Sequence, residues 1–138
     1  MKYLIDTNIL SEMTKKQPDN SVVKWFENTA NADMFISVIS VGELVYGVAK
    51  LSDGNKKIEL SAWLKDLIHE GFDDRIVGIG IDIMQVWGEI SAKLTRSLPK
   101  LDTLIAASAI ACDMTVVTGN VRDFKDIPGL KFFNPREI

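Results

Sequence analysis

The sequence predicts an α/β protein, a central parallel sheet of about five strands flanked by helices. Short apolar runs of strand length, residues 2–5, 34–37, 75–79, 115–118 and 131–133, alternate with longer stretches of helical period. That alternation marks βαβ units feeding a parallel sheet. The 138 residues match one ordinary domain, and no repeat, low-complexity tract or Pro/Gly/Ser linker divides them, so a single domain over 1–138 is expected. Hydrophobic residues at 46% and charged residues at 25% are globular proportions, which exclude a disordered chain and allow a sizeable core.

The first strand candidate runs straight into Asp6-Thr7-Asn8, and Asp6 is placed to cap a short helix over residues 8–13. Asp19 reads as the N-cap of the helix that contains Ser21-Val22-Val23-Lys24-Trp25-Phe26. After residues 34–37 comes a helix over 39–50. On it Val41, Leu44, Val45 and Val48 share one face, and Glu43 lies opposite with Ile39, Tyr46 and Gly47. Both faces are apolar, so this helix is expected to be sandwiched, within the fold or against a partner, with its carboxylate at risk of burial. Two amphipathic helices follow, one through Leu60, Trp63, Leu64, Leu67 and Ile68, the other through Ile83, Val86, Trp87, Ile90 and Leu94. Asp82 is the expected N-cap of the second, and the Met and Trp residues of both stripes read as core. From Asp102 to Asp113 the chain carries no charge and is rich in Ala and Ser, the composition of a helix packed closely on all sides. The last strand candidates bracket a polar turn, Thr118-Gly119-Asn120-Val121-Arg122-Asp123.

Counts of reactive side chains remove several chemistries. With 16 basic and 19 acidic residues and a pI near 5.1, bulk charge advertises neither a nucleic-acid nor a membrane partner, although Lys15 with Lys16 and Lys56 with Lys57 offer local positive patches. One cysteine and one histidine exclude an internal disulfide and any Cys/His metal cluster, and point to a reducing, cytoplasmic setting. His69 lies in a charged helical stretch without a nucleophile elbow and reads as a solvated helix residue, while Cys112 reads as a small core residue. The N-terminus meets Asp6 after three apolar residues, and no run approaches the ~18 residues that span a bilayer. Neither a signal peptide nor a membrane helix is expected.

Four acidic or amide positions interrupt apolar context where a parallel sheet would end. Asp6 follows the first strand, at the carboxyl edge where open α/β sheets place their ligands. Glu43 is the one acid of a two-faced apolar helix, and Asp102 sits in the first turn of the Ala-rich helix. Thr118, Asn120 and Asp123 stand where the 115–118 strand ends. Each has a local explanation as cap, dipole partner or turn former. Converging, however, the carboxylates repel one another, and a hard divalent cation, Mg²⁺ or Mn²⁺, removes the conflict with an oxygen-only ligand set. Such a site suits phosphodiester hydrolysis, because the metal lowers the pKa of a bound water and offsets charge on the departing oxygen.

Four ordered stretches remain, Leu4-Ile5-Asp6-Thr7-Asn8-Ile9-Leu10-Ser11-Glu12, Ile36-Ser37-Val38-Ile39-Ser40-Val41-Gly42-Glu43-Leu44-Val45-Tyr46-Gly47, Asp102-Thr103-Leu104-Ile105-Ala106-Ala107 and Val117-Thr118-Gly119-Asn120-Val121-Arg122-Asp123-Phe124. In this ordered set the sequence resembles the PIN-domain family, and more narrowly the VapC- and FitB-type ribonuclease toxins of bacterial toxin–antitoxin modules. The resemblance implies a Mg²⁺-dependent endoribonuclease that forms a homodimer and is inhibited by a small cognate antitoxin. It implies Asp6, Glu43 and Asp102 as the acidic positions, with the fourth ligand either Asn120 or Asp123. Thr7, Asn8, Thr118 and Arg122 are the candidate substrate contacts. Gly119 departs from the basic residue that many relatives carry, and Arg122 is the candidate to replace its phosphate contact. Further local cations for RNA are Lys15, Lys16, Lys93, Arg96 and Lys100.

Two other classes fit parts of the pattern. A phospho-acceptor domain of the receiver type would need paired acids after the first strand, and Asp6-Thr7 lacks the pair; its acceptor would be Asp82. An inert interaction protein would use the 39–50 helix for assembly alone.

Overall fold

The computed structural model describes residues 1–137. Its sheet has the order β3-β2-β1-β4-β5, built from β1 (Tyr3–Ile5), β2 (Met34–Ser37), β3 (Ile76–Val77), β4 (Thr115–Val117) and β5 (Phe132–Phe133), all parallel. The first three strands step outward one way from β1, and β4 and β5 step outward the other way. The strand order therefore reverses between β1 and β4, and the crevice beyond their carboxyl ends is where such sheets hold ligands. Thr7–Glu12 forms α1 and Asn20–Glu27 forms α2, with Val38–Ala49 as α3 and Asn55–Asp66 as α4. Ile81–Lys93 (α5), Lys100–Ala111 (α6) and Val121–Phe124 (α7) complete the α-helices among the described residues.

Side chains that alternate along the strands split the core into two layers. Leu4 and Val116 face a cluster with Ile83, Ile90, Ile105, Ala106, Ala109 and Phe124, whereas Ile5 and Val117 face Ile9, Leu10, Val22, Ile36 and Leu44. Each fully buried aliphatic of this kind contributes roughly 1.5–3 kcal/mol relative to exposure. The small residues of α6 allow the close approach its composition predicts, with Thr103 and Ile105–Ala109 all buried. Trp87 of α5 donates its indole N–H to Thr103 Oγ1 at 2.9 Å, locking α5 against α6.

Several sequence expectations need correction. The strand expected over 75–79 is reduced to Ile76–Val77, an edge strand that pairs on one side only and ends at Gly78. Asp19 caps α2, accepting from the N–H groups of Ser21 and Val22, but Asp82 does not cap α5. That helix begins earlier, with Gly80 at the cap and the Met84 N–H bonded to the Gly80 carbonyl, so Asp82 is an exposed first-turn residue. The amphipathic stripe of α4 runs on into a π-helical turn, Leu67–Gly71, where His69 is exposed. Cys112 is half-buried at the C-cap of α6 rather than fully interior, and burial pushes its thiol pKa up. Among the described residues α3 is covered on one side only. Leu44 is buried, whereas Val45 is 46% and Tyr46 64% exposed. No described helix is long and apolar enough to cross a membrane.

Candidate active site

Asp6 stands where β1 becomes α1. Its N–H still donates to the Val117 carbonyl at 2.9 Å, as the last rung between β1 and β4, and its backbone then stays extended while the chain turns into the helix. One carboxylate oxygen accepts from the Thr7 N–H at 2.9 Å, which is the capping role expected of it. The other accepts from Thr118 Oγ1 at 2.8 Å and Asn8 Nδ2 at 3.0 Å. Asp6 thus joins the two strands at the switch point, and it is buried while doing so.

The neighbouring positions are tied in by the same polar side chains. Thr7 donates to Glu43 Oε1 at 2.7 Å and lies 2.9 Å from Ser40 Oγ, so α1 fixes the half-buried acid of α3. The Ser37 hydroxyl caps α3 by accepting from the Ile39 N–H, which sets where that helix starts and hence where Glu43 projects. Asn8 Oδ1 accepts the Gly119 N–H at 3.0 Å, and the Thr118 hydroxyl accepts the Asn120 N–H at 2.9 Å, shaping the turn after β4. Asn120 Nδ2 donates to Asp123 at 2.8 Å and to Asp102 at 3.4 Å. The segment read as a turn holds the short helix α7, with Asp123 in its first turn.

Asp6, Glu43, Asp102, Asn120 and Asp123 therefore lie in one hydrogen-bonded neighbourhood with Thr7, Asn8 and Thr118. Asn120 presents its amide N–H to the two carboxylates, because a neutral amide supplies the protons they lack. Arg122 is exposed, and its backbone carbonyl accepts from Arg96. Arg96, from the loop between α5 and α6, also approaches Asp123 at 3.9 Å. Asp82 stands apart: its charge acts on Cys112, at the C-terminal end of α6, whereas Asp102 is at the N-terminal end. At 1.5 Å per residue those ends lie about 15 Å apart, so an acceptor aspartate at 82 has no place in this cluster.

The electrostatics show what the cluster lacks. Burial pushes the Asp6 carboxyl up, and the charge of Glu43 adds to this against the hydrogen bonds from Thr118, Thr7 and Asn8. Asp102 is pushed up to about 6 by burial first, then by the charges of Asp6, Asp123 and Glu43. Among the described residues no three acids close into a ready-made metal cage. Asp6 and Glu43 are held by hydroxyl and amide donors of α1 and the β4 end, and Asp102 and Asp123 share the Asn120 amide. This donor set fits Mg²⁺, which keeps several waters and takes one or two carboxylates rather than a full protein cage.

Sequence reading missed Ser40 and the pair formed by Glu12 and Arg136. Arg136 Nη2 donates to Glu12 Oε1 at 2.6 Å across 124 positions of sequence. No periodicity links them; the one clue was an acid on the short helix after Asp6.

Comparison with known proteins identifies the family of the fold. The family model described as PIN domain matches residues 3–130. The chain is 32% identical to the toxin FitB of Neisseria gonorrhoeae over 88% of its length and 89% of that protein's. It is also 32% identical to the ribonuclease VapC2 of Rickettsia felis, over 94% of its length and 95% of that protein's. The crystal structure of FitAcB from Neisseria gonorrhoeae superimposes with a TM-score of 0.91 at 31% identity, covering 99% of both chains. With the match spanning nearly the whole sheet and every strand end that carries an acid, the chain belongs to the PIN-domain family.

Proposed function

We propose that this protein is a Mg²⁺-dependent endoribonuclease, Mn²⁺ substituting, and the toxin of a type II toxin–antitoxin pair. The observation that carries the reading is the gathering of Asp6, Glu43, Asp102 and Asp123 at the switch point, with Asp102 raised to about 6 by burial and by its acidic neighbours. The names of two relatives, a toxin and a ribonuclease, support it. Asp6 and Asp102 are the proposed principal metal-holding residues, with Glu43 and either Asn120 or Asp123 completing the set. Bound there, the metal would supply an activated water and offset the charge that develops at the phosphorus centre.

The chain's own groups do the positioning. Thr118, Asn8 and the Thr7 N–H hold Asp6 in one rotamer, and Thr7 holds Glu43, so the acids need little rearrangement on loading. Rotation of the Asn120 amide would let its oxygen serve as a ligand in place of Asp123. Thr7, Asn8, Thr118 and Arg122 remain the proposed substrate contacts. The uncovered side of α3, with a 660 Å³ groove lined by Val38, Ile39, Gly42, Tyr46 and Leu101 beside Thr7 and Glu43, supports the reading of a protein partner next to the site. A cognate antitoxin and a second copy of this chain are the partners proposed, in a cytoplasmic setting.

The test is cleavage of total cellular RNA by purified chain, wild type beside Asp6→Asn, with Mg²⁺, with Mn²⁺ and with chelator. Cutting by wild type alone, and only with metal, is the expected result. Silence of folded, partner-free wild type in every lane overturns the nuclease reading.

A further inference from the structure

The turn that closes the acidic site holds a glycine where the backbone does not demand one. Among the described residues only Gly54 and Gly129 use a glycine's positive φ, so Gly119 is there for its missing side chain. A Cβ on Gly119 would stand 2.2 Å from Arg136 Nη1 and 3.3 Å from its Cζ, so the guanidinium occupies the space that a side chain at 119 would fill. That space borders the site. The Gly119 N–H binds Asn8 Oδ1, and Asn8 Nδ2 binds the Asp6 carboxylate. Glu12, buried at the far end of the helix that Asp6 caps, steers the guanidinium through Nη2. Glu12 is not short of other partners. Lys15 lies 3.0 Å from the same oxygen, and the Asp19 N–H donates to the other. Arg136 also remains 34% exposed, and a guanidinium has five donors in a rigid fork, of which Glu12 engages one side.

We propose that Arg136 is a substrate-binding residue, its guanidinium seated over Gly119 and aimed by Glu12 to take a backbone phosphate of RNA lying across the acidic site. This rests on the nuclease reading above. A polyanion approaching four carboxylates needs a fixed cation at their edge, and Arg136 supplies one from the C-terminal turn Pro135–Glu137.

The experiment measures binding of a fluorescent single-stranded oligoribonucleotide to the full chain in chelator, where no cleavage occurs, across a salt series. Arg136→Ala is expected to weaken binding at least fivefold and to make the dependence of log affinity on log salt shallower by about 0.7, the loss of one phosphate contact on a single strand. A purely structural ion pair would not move that slope. Gly119→Val, which leaves both charges of the Arg136–Glu12 pair in the chain but fills the seat of the guanidinium, is expected to weaken binding about threefold. Arg136→Ala combined with Gly119→Arg, which refills the vacated space with a guanidinium, should recover the slope. With metal present, Arg136→Ala should raise KM and leave kcat within about threefold. Equal affinity and slope in wild type, Arg136→Ala and Gly119→Val overturn the proposal, as does a wild type that does not bind. Cleaving wild type with an unchanged KM in Arg136→Ala overturns this inference and leaves the nuclease reading intact.

Discussion

Asp6 and Glu12 stand at the two ends of the short helix α1, both almost fully buried, and their surroundings drive them in opposite directions. Glu12 meets Arg136, Lys15 and the Asp19 N–H, and the Arg136 guanidinium above all holds its carboxyl down at about 2. Asp6 meets neutral donors and the negative charge of Glu43, and burial pushes its carboxyl up. Burial disfavours charge in both places; the difference is the cation. Glu12, which serves the fold, has its counterions within the chain, whereas among the described residues Asp6, Glu43 and Asp102 form no ion pair.

The largest effect should come from breaking this contrast on the acidic side. Asp6→Asn or Asp102→Asn is expected to lower metal-dependent RNA cleavage by at least 10²-fold, on the scale of lost transition-state charge stabilisation. In metal-free buffer the same variants should melt at or above the wild-type temperature, because repulsion is relieved. Marked unfolding instead would mean that their capping and strand-joining bonds dominate.

Glu12 should give the reverse pattern. Lowered from its ordinary 4.5 to about 2 by Arg136 and then Lys15, it contributes stability that is fully present above pH 4.5 and lost as pH falls toward 2. Glu12→Gln should therefore lower the melting temperature at pH 7 and flatten the acid limb of the stability curve. Metal-induced stabilisation should survive in it. Urea melts from pH 2 to 7 check both points, and a variant as stable as wild type would show that Lys15 and Arg136 were not compensating a buried charge.

The two ends of α1 were not equally legible in the sequence. Asp6 announces itself because a carboxylate directly after an apolar strand needs a reason, and the sheet order that puts β4 beside β1 brings Thr118 to it. Asp102 and Glu43 were legible for the same cause, as lone acids in apolar helices. The alternation that predicts the strands and helices is local, so it survives without the tertiary fold. Glu12 and Arg136 meet only because β5 and the C-terminal turn return to α1, a contact that no window of sequence contains. The cap of α5 failed for a related reason. Asp82 has the chemistry of a cap, but the helix starts at Gly80, and nothing in the pattern of apolar residues marks that step.

A finer division lies inside the acidic group. Asp123 accepts from Asn120 at 2.8 Å and has Arg96 at 3.9 Å, so among the described residues it is the one acid of the four in an ion pair. Asp123→Ala should cost about tenfold in cleavage, less than Asp6→Ala, because Asn120 can turn its oxygen to the metal. Equal losses in the two variants would refute that ranking and place Asp123 among the principal ligands.

The smallest expected effect tests the comparison through pH alone. Asp102 has its ordinary value of 3.8 in the unfolded chain and about 6 when folded, so the folded state binds that proton more tightly. Its stabilisation is present below pH 3.8 and is lost as pH rises toward 6, opposite in sign to Glu12. After screening by solvent at this half-buried site, the loss should be about 1–2 kcal/mol. Metal-free protein should therefore be most stable near pH 4, where Glu12 is still largely ionised and Asp102 still largely protonated. On the proposed metal site Mg²⁺ would compete with that proton, so saturating metal should move the optimum toward neutrality, and Asp102→Asn should abolish the move. An optimum that stays in place when Mg²⁺ is added would mean that the raised carboxyl of Asp102 is not waiting for a metal.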